Sequence, residues 1–232
     1  MGFLFVTTTL TIRVGALLTL AAGGLWAQSP TEVLTRLDRF APSLRALRAV
    51  VRYTDHTAPL SEDSDTHETG TLTIRRSSPG KLQFMIAFSD PDAHTVVLSG
   101  QKAELYYPKL DEIREYDIRK YRDLAQTLLV LGFGTSGRDL AAHYQIADLR
   151  HETVESQPST HLELTPRSSE VLKELKKVEL WIADKNDCLV QQKLYFPGGS
   201  YKIARFSAVE INPNLDSSVF DLPKHAKRVR MN

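Results

Sequence analysis

The sequence predicts an α+β domain: one large antiparallel sheet, curled by its own twist, with few helices. Three observations predict it. About eleven short segments carry the alternating pattern of half-buried strands. The turn clusters between many of them are too short for a crossover, which favours antiparallel neighbours. Helical periodicity is confined to the N-terminal stretch and to an insertion after the sixth strand.

The elements follow in order. Ser29-Pro30-Thr31-Glu32 is a helix start, with Ser as N-cap, Pro at the first helical position and Glu three residues after the cap. Val33, Leu34, Leu37 and Phe40 share one helical face, and Pro42 ends or kinks the helix. A strand begins at residues 50–53 (VVRY), and the polar, acidic stretch 58–67 reads as a hairpin tip. Strands then read at 70–76, 81–88, 94–98 and 103–107, separated by Ser77-Ser78-Pro79-Gly80, Ser89-Asp90-Pro91-Asp92 and Ser99-Gly100. A further strand spans 112–118. Leu124, Leu128 and Leu131 then change the period to that of an amphipathic helix. A glycine-rich break at 132–137 leads to a short helical stretch at 139–143. Strands resume at 144–149, 161–165, 178–182, 192–196 and 201–211, the last two joined by Pro197-Gly198-Gly199. The basic tail, 224–232, reads as frayed.

Residues 1–27 read as an export signal: Arg13 flanks the apolar run 14–25, which is short for a membrane span, and Ala27 precedes Gln28. An uncleaved anchor is the competing interpretation. No cysteine follows the run, so the pattern is not that of a lipid-modified N-terminus. Residues 28–232 are expected to form a single domain outside the cytoplasm. With 42% hydrophobic residues the chain can build one sizeable core. Lys+Arg (29) and Asp+Glu (28) nearly cancel, so bulk charge gives no reason to expect a nucleic-acid partner.

Several motifs invite a catalytic or ligand-binding interpretation and do not carry it. Residues 132–137 match G-x-G-x-x-G, but a dinucleotide site needs a preceding strand and a parallel βαβ unit. Here a helix precedes it, and a break between two helices is the better account. The seven histidines are scattered, with none at metal-binding helical spacing; His56 and His67 sit near an acidic loop that reads as solvated. Cys188 is alone and can form neither an internal disulfide nor a cysteine-based metal site. No nucleophile elbow or paired-carboxylate arrangement stands out. The sequence therefore predicts no enzyme, cofactor or metal.

The remaining feature is an apolar sheet face. Leu82, Phe84, Ile86 and Phe88 alternate on one side of their strand; parity adds Leu72 and Ile74, and Leu105 and Tyr107 are assigned to the same surface. Such a face ordinarily closes a core. A wide curled sheet with so little helix is expected to leave part of it unfilled, as a groove for acyl chains partly capped by the 124–131 helix. Each buried methylene would contribute about 0.8 kcal/mol.

At this point the chain resembles the LolA-like outer-membrane lipoprotein carriers of the bacterial periplasm. The resemblance runs from about Thr31 to Val229 and is diffuse. It rests on 70–76 followed by Pro79, Leu98-Ser99-Gly100 leading into Leu105-Tyr106-Tyr107-Pro108, the Leu-rich helix, Leu162-Glu163-Leu164-Thr165-Pro166, and Phe220-Asp221-Leu222-Pro223. It implies an unclosed β-barrel with a helical lid (Leu124, Leu128, Leu131) over an acyl-binding cavity lined by Leu72, Ile74, Leu82, Phe84, Ile86, Phe88, Leu105 and Tyr107. It also implies an arginine latch on the lid at Arg76, although Ser77 and Ser78 separate Arg76 from Pro79 and leave Arg75 as the alternative.

The expectation is a monomeric periplasmic carrier that moves acylated lipoprotein or lipid from an inner-membrane ABC transporter to an outer-membrane acceptor. The alternative is a sensing or regulatory module on the same fold, which binds lipid or misfolded envelope protein as a signal.

Overall fold

The computed structural model describes residues 30–78, 81–119 and 133–231. The expected export signal, the Pro79-Gly80 turn, and Leu124, Leu128 and Leu131 lie outside the described residues.

Helix α1 (Pro30–Ser43) precedes β1 (Ala46–His56), β2 (Thr66–Ser78), β3 (Lys81–Asp90), β4 (His94–Ser99), β5 (Lys102–Tyr107) and β6 (Glu112–Asp117). Helix α2 (Gly137–His143) leads into β7 (Tyr144–Val154) and β8 (Gln157–Pro166). Helix α3 (Ser169–Glu174), β9 (Lys177–Ala183), β10 (Leu189–Tyr195), β11 (Tyr201–Ile211) and β12 (Lys227–Met231) complete the order. The strands form one 12-stranded sheet in the order β12-β6-β5-β4-β3-β2-β1-β11-β10-β9-β8-β7. Every pairing is antiparallel except β12 on β6. Among the described residues β7 and β12 each pair on one side only, and the sheet is not closed into a barrel. Each segment read as a strand from its alternation is a strand; α3 has no counterpart in that reading.

The C-terminal tail corrects one expectation. It is not frayed: Lys227–Met231 pairs in parallel with β6, and Arg228 Nη1 donates to Glu104 (2.6 Å) and Glu115 (2.5 Å). The basic residues resembled a solvated end because their acidic partners lie more than a hundred positions away.

Directly paired residues of neighbouring strands share a face. The inner face is the one on which α1 packs. Val33, Leu37 and Leu44 join Leu47, Ala49 and Val51 of β1, Leu72 and Ile74 of β2, Phe84 of β3 and Phe206 of β11 in one core. Leu162, Leu164, Val178, Leu180 and Ile182 extend it across β8 and β9, and Leu140 of α2 and Phe133 help fill it. Phe133 meets Phe206 edge to face at 4.8 Å.

The helices approach each other closely at Gly137. A Cβ there would lie 2.1 Å from the Leu34 carbonyl oxygen, so only glycine fits. Ser136 caps α2 by accepting from the Asp139 amide at 3.1 Å. The glycine-rich motif is thus a packing device.

Candidate functional site

Register fixes what each strand contributes to the inner face. One row runs Ala49, Leu72, Ile86, Val96, Leu105, Arg114 across β1 to β6. The row on one side of it runs Leu47, Ile74, Phe84, Leu98, Ala103, Tyr116. On the other side, Gly70, Phe88 and His94 are paired, and Tyr107 lies beside them on β5. All eight residues expected to form the acyl surface therefore stand on one face.

They divide into two groups. Leu72 (4% exposed), Ile74 (1%) and Phe84 (4%) are sealed in the core under α1. Leu82 and Ile86 are half-buried and pack against that core. Phe88, Leu105 and Tyr107 are half-buried and stand outside it, as does Val96 between Ile86 and Leu105. α1, α2 and Phe133 fill the inner face over β1, β2 and β8–β11, while the β3–β6 half keeps a partly covered apolar strip. Val96 was not singled out from the sequence, although the alternation of HTVVL pairs it with Ile86 once the hairpin register is known.

The strip ends in aromatic and charged groups. The His94 ring stacks on Phe88 (4.6 Å) and faces Tyr107 (6.1 Å), and Phe88 meets Tyr53 edge to face at 6.3 Å. His94 Nδ1 donates to the Asp92 carbonyl at 2.9 Å, and Nε2 is 3.7 Å from Glu68. The Arg114 guanidinium lies over the Tyr107 ring at 4.7 Å and donates from Nε to Glu112 at 3.0 Å. A cavity of about 390 Å³ opens beside this group, lined by Asp92, Ala93, His94, Tyr107, Lys109 and Leu110.

The two arginines at the end of β2 have separate roles. Arg76 donates from Nε to the Leu44 carbonyl (3.1 Å) and from Nη2 to the Ala41 carbonyl (3.3 Å). A cation at the C-terminal end of α1 satisfies carbonyls that the helix leaves unpaired. Gly134, with a left-handed φ of 79°, packs against Arg76; a Cβ there would sit 3.1 Å from Nη2. Arg75 points to the outer face, pairs with Gln83 (2.9 Å), reaches the carbonyls of Asp216 (3.4 Å) and Ser217 (3.5 Å), and lies 4.7 Å over the Phe220 ring. It holds residues 212–226, the strap connecting β11 to β12, against the outer face, where Thr73, Val97 and Ile113 are buried. Arg76 therefore lies on the inner, helix side of the sheet and Arg75 on the outer side.

The other candidates resolve into structural roles. His56 Nδ1 pairs with Asp65 at 2.6 Å and its ring stacks on Tyr201 at 4.5 Å. Cys188 is buried, and burial pushes its thiol up to about 12. Among the described residues no three His, Cys, Asp or Glu side chains converge to hold a metal, and no helix is long and apolar enough to cross a membrane.

The family model for the outer membrane lipoprotein carrier protein LolA matches residues 55–223. The chain belongs to the LolA family. This is a family of non-catalytic periplasmic carriers, in accord with the address expected from the N-terminal segment. No curated protein matches the chain significantly.

Among solved structures, the LolA-family fold of this chain is similar to that in the Pseudomonas aeruginosa MucA/MucB complex: 15% identity over 86% of this chain and 63% of that one, TM-score 0.51. A crystal structure of MucB matches at 14% identity over 85% and 64%, TM-score 0.52. An uncharacterized conserved protein from Thermus thermophilus matches at 14% identity over 88% and 100%, TM-score 0.52. The chain spans less than two thirds of the MucB chains it matches. At these identities the likeness is one of fold.

Proposed function

We propose that this LolA-family protein binds acyl chains on the strip formed by Ile86, Phe88, Val96, Leu105 and Tyr107. The observation that carries the proposal is the division of the inner face: helices seal Leu72, Ile74 and Phe84, Ile86 stands at the margin of that core, and Phe88, Val96, Leu105 and Tyr107 stand outside it, half-buried. The helix expected at 124–131, with Leu124, Leu128 and Leu131, is the proposed lid, and Arg76 its proposed latch, set between the end of α1 and Gly134. The bound acyl group serves as a signal read by a protein partner. The fold likeness to MucB, whose structure in complex with MucA is among those similar to this chain, supports this use.

The family match supports a second use, in which the protein carries acylated lipoprotein or lipid from an inner-membrane ABC transporter to an outer-membrane acceptor. Two experiments separate them. Pull-down from envelope extract recovers one stoichiometric protein partner under the regulatory reading. A two-membrane transfer assay moves labelled lipoprotein under the carrier reading. Binding itself is tested with a fluorescent acyl probe, and loss of binding in Leu105→Asp with unchanged circular dichroism is the expected result. Equal binding by Leu105→Asp removes the strip as the site.

A further inference from the structure

Arg114 is the one charged residue in the row that holds Leu72, Ile86, Val96 and Leu105. Three strand spacings separate Ile86 from it, about 14 Å of sheet. Its guanidinium is held in place by the Tyr107 ring beneath it and by the Nε bond to Glu112. The side chain is 35% exposed, and among the described residues its two terminal amino groups have no hydrogen-bond partner. Glu112 does not belong to Arg114 alone: its other oxygen lies 3.7 Å from Lys227 Nζ on β12. Two cations thus share one carboxylate beside the apolar strip. An oriented guanidinium with both amino groups free is suited to a bidentate oxyanion, phosphate or carboxylate.

We propose that Arg114 receives the anionic headgroup of an amphiphile whose acyl chain lies along Leu105, Val96 and Ile86. The inference rests on the acyl-binding strip proposed above and names the class of ligand it takes. The chain is held by apolar contact, which tolerates length, while the headgroup meets the fork of one arginine, which selects for charge. Tyr107 holds the guanidinium flat, so the site is formed before the ligand arrives.

The test is calorimetric titration of the purified protein with ligands sharing one 12-carbon chain: dodecyl phosphate, dodecanoate, neutral dodecyl maltoside and cationic dodecyltrimethylammonium, each below its micelle concentration, with inorganic phosphate alone as a further arm. The expected result is at least tenfold tighter binding of the two anions than of the neutral ligand, with no measurable binding of inorganic phosphate. In Arg114→Gln that preference disappears while affinity for dodecyl maltoside is unchanged; Arg114→Lys keeps part of it. Equal affinity for anionic and neutral ligands in the wild type, or an intact preference in Arg114→Gln, overturns the headgroup assignment and leaves the strip standing. Inorganic phosphate binding as tightly as dodecyl phosphate overturns it in favour of a free anion. Failure of every 12-carbon ligand to bind removes the strip and this inference together. Should Arg114→Gln not fold, the wild-type comparison still decides.

Discussion

Arg75 and Arg76 are neighbours in sequence and clamp opposite faces of the same sheet. Arg76 holds the end of α1 through the carbonyls of Leu44 and Ala41, and Arg75 holds the strap through Asp216, Ser217 and Phe220. The alternation of a strand makes this unavoidable, since successive side chains must leave on opposite sides.

Their removal should separate the two functions. Arg76→Ala is expected to lower the stability to urea by about 1–3 kcal/mol, because it leaves half-buried helix-end carbonyls without a donor. Arg75→Ala should cost less, about 1 kcal/mol, because its bonds to the Asp216 and Ser217 carbonyls are long and exposed. It should instead speed proteolytic cleavage within residues 212–226. Faster strap cleavage in Arg76→Ala than in Arg75→Ala would contradict the assignment.

The two halves of the inner face should respond differently to truncation. Leu72→Ala, in the sealed half, is expected to cost about 2–5 kcal/mol through the cavity it leaves. Leu105→Ala, on the strip, should cost well under half as much by thermal unfolding, and should weaken acyl-probe binding where Leu72→Ala, at a temperature at which it is folded, does not.

Gly137→Ala should destabilise by about 1–3 kcal/mol, because the added Cβ meets the backbone of Leu34, which has no side-chain freedom with which to yield. Chemical denaturation measures it. A neutral result would mean that α1 and α2 can separate at no expense.

On the outer face, Glu179 accepts from Lys177 (2.9 Å) and from Tyr195 (2.9 Å). Burial pushes its carboxyl up, but those hydrogen bonds and the Lys177 charge outweigh it, and the pKa lies below the ordinary carboxylate value. A depressed folded-state pKa contributes stability above the unfolded value, near 4.3, and that contribution is lost as pH falls through the folded pKa. Glu179→Gln should therefore flatten the acid limb of the stability curve below about pH 5. The stability difference between the two proteins should shrink as pH falls.

Cys188, with its thiol pushed up to about 12 by burial, should not react with a thiol-exchange reagent at pH 8 in the native protein and should react fully in denaturant. Reaction at native rates comparable to a free thiol would mean that the β9–β10 turn opens.

The sequence by itself determined the local geometry of this protein. Alternation marked the strands, turn residues marked their ends, and parity put Leu72, Ile74, Leu82, Phe84, Ile86 and Phe88 on one face, because side-chain direction along a strand depends only on the backbone of that strand. Only the tertiary structure decided which of those residues the protein keeps for its own core. It also decided that the basic tail is an edge strand, that Arg76 and not Arg75 faces the helix side, and that Arg114 ends the apolar row. Each of these depends on contacts between residues far apart in the chain, and local periodicity carries no record of what will lie opposite a face once the sheet has curled.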